Sequence, residues 1–195
     1  IVIVFSIERA LVLRKAAGKG NVDNFVLSVR RLLDQNKVDE AIEECDRQEG
    51  SVGNVVKEGL TTYKALAHDT TMNKEQKMVA LNKSIEEATT LEMPMLEKNM
   101  MILSTLGTVA TLVALLGTVI GMIKAFSALG SGGGTPDSAA LSIGISEALV
   151  NTALGIGTSA VAIILYNYFT SKIDELTFKI DEIAMSIQQS FAEFH

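Results

Sequence analysis

The chain has 195 residues, 48% of them hydrophobic, with a net charge of −6 and no tryptophan. That acidic balance argues against a nucleic-acid partner, which selects a basic face. Cys45 is the only cysteine, so no internal disulfide forms, and His68 and His195 lie too far apart to suggest a metal site or a nucleophilic triad.

Charge is unevenly distributed along the chain. Between Lys98 and Lys172 the charged residues are Lys124, Asp137 and Glu147 alone, whereas both flanks are densely charged. With a mean hydropathy of +0.29, this division predicts an all-α helical membrane protein with a soluble insert, not one globular core.

In chain order, Ile1 to Ile7 is apolar and runs into Glu8-Arg9. Left bare in water it would be costly, so residues 1–14 read as the end of a first transmembrane helix, truncated here. Residues 15–98 read as a cytoplasmic helical domain. Val22, Phe25, Val26, Val29, Leu32 and Leu33 mark one amphipathic helix; Val38, Ala41, Ile42 and Cys45 mark a second; Val52, Val55, Val56, Leu60 and Tyr63 mark a third. From Lys74, the positions Met78, Leu81, Ile85, Ala88, Met95 and Asn99 keep a helical spacing that leads directly into the next span, with a bend expected at Pro94. Glu92 falls on that apolar seam, where a carboxylate needs a cationic or hydrogen-bonding partner, expected on a neighbouring subunit. A buried thiol is the expectation for Cys45.

Residues 99–123 and 148–171 carry no charge, and at ~1.5 Å per residue each is long enough to cross a hydrocarbon core ~30 Å thick. The second transmembrane helix is placed at 99–127, the short outer loop at 128–138, the third transmembrane helix at 139–170 and a cytoplasmic C-terminal helix at 171–195. In that last helix Ile173, Leu176, Ile180, Ile183, Ile187 and Phe194 continue a heptad-like seam. Lys and Arg follow the first span, precede the second and follow the third, while the Gly-rich connection has none, so the insert and C-terminus face the cytoplasm.

Ser104, Thr108, Thr111 and Thr118 share one helix face, and Asn151, Thr152, Thr158 and Ser159 stand on the next helix. Such a stripe serves either a hydrated path or interhelical hydrogen bonds. Gly117 and Gly121 in one span, with Ala153, Gly155, Gly157 and Ser159 in the other, are small residues that let helix backbones approach closely. Glu147 sits either at membrane depth, where an ionisable group marks function, or at the wet headgroup level. One carboxylate without a basic partner is not a complete proton relay, so a titrating acid at the centre of the bilayer has to come from another protein.

The segments Leu115-Leu116-Gly117-Thr118-Val119-Ile120-Gly121-Met122 and Ile145-Ser146-Glu147-Ala148-Leu149-Val150-Asn151-Thr152-Ala153-Leu154-Gly155 resemble the MotA/TolQ/ExbB proton channel family, the ExbB/TolQ branch in particular. The order of helix, large helical insert, helix, short loop, helix and tail is similar as well. The resemblance implies no enzyme and no cofactor or metal. It implies instead a pentameric multi-pass protein of the bacterial cytoplasmic (inner) membrane, a channel subunit that uses the proton motive force for TonB-dependent outer-membrane transport. Its implied partners are an ExbD/TolR-type single-span protein in the central pore and a TonB/TolA-type protein. By motif position, the pore threonines map to Thr118 and Thr152 and the third-helix glutamate to Glu147; Thr108, Thr111 and Asn151 extend the ion pathway. The chain departs where the family usually has Ala-Pro-Leu-Leu-Gly: here Ala110-Thr111-Leu112-Val113-Ala114 lacks the proline and adds a hydroxyl two turns from Thr118. A flagellar or gliding stator of the same superfamily and a non-conducting membrane scaffold are the alternative readings.

Overall fold

The computed structural model describes residues 1–130 and 138–194; most of the expected outer loop therefore lies outside the described residues. Among them there are helices and no strand: α1 (Val2–Ala17), α2 (Val22–Asp34), α3 (Val38–Gln48), α4 (Gly50–His68), α5 (Lys74–Glu97), α6 (Met100–Gly130) and α7 (Ser138–Phe194). They form two compact units. The first comprises Ile1–Ile7 and Asn99–Tyr168, the second Glu8–Lys98 and Phe169–His195. Both α1 and α7 contribute to each unit without a break.

In the second unit, local chemistry fixes the helix ends. The Asn21 side chain accepts from the backbone of Asp23 at 2.7 Å and starts α2. A reciprocal box between Asn73 and Gln76, at 2.8 and 3.0 Å, starts α5. The α3–α4 corner turns through Glu49 and Gly50, with φ of 56° and 74°. There a Cβ on Gly50 would stand 2.5 Å from the Ala16 carbonyl, so only glycine fits. Lys19 donates its backbone N–H to Gln48 at 2.6 Å, tying the end of α1 to the same corner.

The amphipathic faces then close on the last part of α7. Val29, Leu33, Val52, Leu60, Tyr63, Leu81, Ile180, Ile183, Ile187 and Phe191 are buried, each such aliphatic or aromatic side chain contributing about 1.5–3 kcal/mol. Tyr63 and Phe191 meet edge to face, with centroids 4.9 Å apart. The seam of α7 thus closes on Phe191, one turn after Ile187, because Tyr63 receives it there; Phe194, expected on the seam, stays 39% exposed.

The passage from α5 to α6 differs from expectation. Pro94 lies inside α5, and the helix ends only after Glu97. The break falls at Lys98 and Asn99, where Asn99 has φ of 62°, a left-handed conformation that Asn tolerates better than most residues. Asn99 then begins α6 by accepting from the backbone of Leu103 at 3.2 Å. Ending α5 leaves its last carbonyls without helical partners. The Leu96 carbonyl is taken by Arg9, whose Nη1 donates to it at 3.3 Å. Arg9 is 0% exposed, and its guanidinium also clasps Glu8 at 2.9 and 2.8 Å.

The first unit has the opposite surface. Leu112, Val113, Leu116, Leu149, Leu154 and Ile164 all face outward, while its inner seam is made of small residues. An apolar exterior around a small-residue interior suits lipid rather than water.

Candidate functional site

Within the first unit, α6 and the start of α7 run antiparallel along a seam that can be followed step by step. A Cβ on Gly144 would meet Ala125 Cβ at 2.8 Å, and one on Gly121 would meet Ala148 Cβ at 3.0 Å. One on Gly117 would meet Asn151 Nδ2 at 3.4 Å, one on Gly155 would overlap Ala114, and one on Gly107 would meet Ile163 Cγ1 at 2.9 Å. Absence of side chains is what brings the two backbones together. Gly157 has nothing within 4 Å and Ala153 is exposed, so neither takes part in this seam within the chain.

One step of the seam is polar. Thr118 and Thr152 face each other, and their hydroxyls are hydrogen bonded. Thr118 Oγ1 also reaches the carbonyl of Ala114 at 3.1 Å and that of Ala148 at 3.3 Å. Thr152 Oγ1 reaches the same Ala148 carbonyl at 3.2 Å. Two hydroxyl protons therefore serve three acceptors: the Ala114 carbonyl, the Ala148 carbonyl and the partner hydroxyl. Either threonine can donate to the other while a carbonyl takes the remaining proton, so the direction of the chain can reverse with neither proton stranded. Lower in the seam Ser159 donates to the Gly107 carbonyl. Thr158 bonds its own helix at Leu154 at 2.8 Å, and Thr105 bonds Met101 at 2.7 Å.

The other predicted residues fall into separate places. Thr111 is half-buried below Thr118, whereas Ser104 and Thr108 are exposed. Glu147 and Asn151 are exposed as well. They line a recess of about 360 Å³ with Ile143, Ser146 and Val150. A second recess, about 600 Å³, opens beside Thr118 and is lined by Val119, Met122, Ile123 and Phe126. At about 100° per residue, Asn151 and Gly117 sit on one side of the seam and Thr152 and Thr118 on the other. Of the six residues expected along one pathway, Thr118 lines one recess and bonds Thr152 across the seam, Glu147 and Asn151 line the other recess, and Thr108 and Thr111 line neither.

The Ala148 carbonyl, Gly107 and Gly144 escaped the sequence reading. A backbone carbonyl has no side-chain signature, and the two glycines lie outside the motifs. Among the described residues no cluster of His, Cys, Asp or Glu could hold a metal ion.

The model of the MotA/TolQ/ExbB proton channel family matches residues 47–182. A putative ExbB-like biopolymer transport protein of Synechocystis is 33% identical over 113 residues, 57% of this chain and 54% of that protein. A putative ExbB homolog of Methanothermobacter thermautotrophicus is 26% identical over 190 residues, 97% of this chain and 62% of that protein. The Tol-Pal system protein TolQ of Pseudomonas aeruginosa is 28% identical over 131 residues, 66% of this chain and 55% of that protein. The chain spans about half to three fifths of the length of these curated relatives.

Proposed function

The chain belongs to the MotA/TolQ/ExbB proton channel family, and from that premise we propose that it is the ion-conducting subunit of an ExbB/TolQ-type motor in a bacterial inner membrane. The observation that carries this reading is the Thr118–Thr152 hydroxyl pair, the polar step between two long apolar helices, set beside an open recess.

Copies of the chain assemble around an ExbD/TolR-type single-span partner, whose protonatable carboxylate supplies the titrating acid at the centre of the bilayer. A threonine hydroxyl both donates and accepts without holding charge. The pair can donate to the partner's carboxylate when it is ionised and accept from it, or from water, when it is protonated. Because the internal chain reverses direction, each state keeps its hydrogen bonds. Thr111 and Thr108 extend the polar stripe toward the cytoplasmic end. Glu147 and Asn151, on the other side of the seam, act on a neighbouring subunit or at the entrance. The work is passed to a TonB/TolA-type protein for outer-membrane transport.

The scaffold reading has one point in its favour: each threonine proton already has an acceptor within the chain. Proton flux into proteoliposomes containing the protein and its single-span partner separates the two. The channel reading expects a partner-dependent current that Thr152→Val abolishes while the complex stays assembled. Undiminished current in Thr152→Val, or loss of the complex itself, assigns the pair to packing.

A further inference from the structure

The sequence leaves Glu147 without a basic partner, yet the seam between α6 and α7 brings one to its level. Gly144 stands opposite Ala125, and Gly121 opposite Ala148. Along two antiparallel helices those contacts put Lys124 opposite Ile145, within two residues of Glu147. At ~1.5 Å per residue the two charges differ in height by about 3 Å. They also share a flank. Gly117 and Asn151 meet on one side of the seam, and Thr118 and Thr152 bond on the other. Lys124 follows Gly117 by seven residues, close to two full turns, and Glu147 precedes Asn151 by four, about one turn.

Neither charge is satisfied where it stands. Both side chains are exposed, and among the described residues neither takes part in a hydrogen bond or ion pair. Apolar surface continues past both toward the helix ends that the outer connection joins. Phe126, two residues beyond Lys124, is 58% exposed, and Ile143, one turn beyond Glu147, is 61% exposed. This level therefore lies inside the apolar belt, where a lone ionised group is costly. Glu147 and Asn151 line an open recess of about 360 Å³ on the flank that Lys124 shares. An ammonium on a flexible four-carbon stem can be turned into it.

We propose that Lys124 and Glu147 of the same chain form an ion pair that bridges α6 and α7 at this recess, beside the amide of Asn151. This rests on the reading of the chain as embedded in a membrane. Lys124 is then a positioning residue: it holds the Glu147 carboxylate on the flank away from the threonines, and the pair cancels both charges within the apolar belt. In a ring of copies inserted the same way, a flank of one copy meets a different surface of the next. Two groups on one flank therefore find each other within a copy rather than across the interface.

The test is thermal unfolding of the full chain in lipid bilayers. Lys124→Glu and Glu147→Lys each leave two like charges side by side, and each should lower the unfolding temperature by about 2–4 °C. The double exchange in one chain should regain most of that loss, whereas a mixture of the two single variants should not. Losses that simply add overturn the pair, and recovery in the mixture overturns its placement within one copy. Where a charge reversal prevents insertion, Lys124→Met and Glu147→Gln make the same cycle without like charges. Unfolding needs neither the single-span partner nor ion flow. A chain that conducts nothing therefore leaves the pair standing, and additive losses leave the channel reading standing.

Discussion

Thr118 and Thr152 bond to each other across α6 and α7, and both hydroxyls also lie within reach of the Ala148 carbonyl. Interhelical hydroxyl bonds in membranes are worth about 0.6 kcal/mol on average, because the separated helices also find partners. That is too little to hold the helix pair. Thr118→Val and Thr152→Val should therefore each lower thermal stability only slightly, with a coupling near that value in a double-mutant cycle. A coupling of several kcal/mol would make the pair a structural clamp.

Close approach of the helices depends on glycine at particular steps. A side chain at Gly155 overlaps Ala114, whereas Gly157 looks into open space. Gly155→Val should cost more than the 1–3 kcal/mol typical of overpacking, since backbones rather than side chains must move. Gly157→Ala should be neutral or mildly stabilising, as expected on removing a glycine from a helix interior. Thermal unfolding of both variants in detergent checks the contrast; equal losses would contradict the seam.

Arg9 is buried while its partner Glu8 is 37% exposed. Removing Arg9 thus leaves a carboxylate that water can still reach, and the larger loss is the orphaned Leu96 carbonyl. Arg9→Met should destabilise by about 1–3 kcal/mol, the cost of one unsatisfied buried group, rather than the larger cost of a stranded charge. Hydrogen exchange should speed up first at the end of α5. Unchanged exchange there would mean that Arg9 does not cap the helix.

Burial first, then the neighbouring charges of Asp46 and Glu44, push the Cys45 thiol up from 9.0 to about 12. At pH 8 the folded protein should hold roughly a thousandfold less thiolate than the unfolded chain, and alkylation should be slower accordingly. A raised thiol pKa means that the folded state keeps its proton longer. Its stabilising effect is complete below pH 9 and is lost as pH rises from there toward 12. Alkylation at the unfolded rate without denaturant would place Cys45 outside the core.

Lys179 pairs with Asp23 at 2.7 Å and with Glu182 at 3.4 Å, which in turn holds Arg30 at 3.0 Å. The hydrogen bond that Lys179 donates to Asp23 is the main cause of its raised pKa. The contribution is therefore full below 10.5 and fades as pH climbs through the raised value. Asp23→Asn should flatten the alkaline part of a melting-temperature curve; an unchanged curve would show that the pair is too solvated to matter.

The sequence by itself determined the all-helical class, the two long charge-free stretches and the amphipathic faces of α2 to α5, because hydrophobic periodicity is written in side chains. It also singled out Thr118 and Thr152, whose surrounding motifs carry the family resemblance, and it marked Glu92 as a carboxylate on an apolar seam. Only the tertiary structure decided which groups meet. It placed Glu147 and Asn151 on the far side of the seam from the threonines, since helices in contact sort their residues by rotation as well as by order. It put the break at Lys98–Asn99 rather than at Pro94, where Arg9, from a distant part of the sequence, could take the freed carbonyl. And it brought both threonines to the Ala148 carbonyl, a backbone group that no residue type announces.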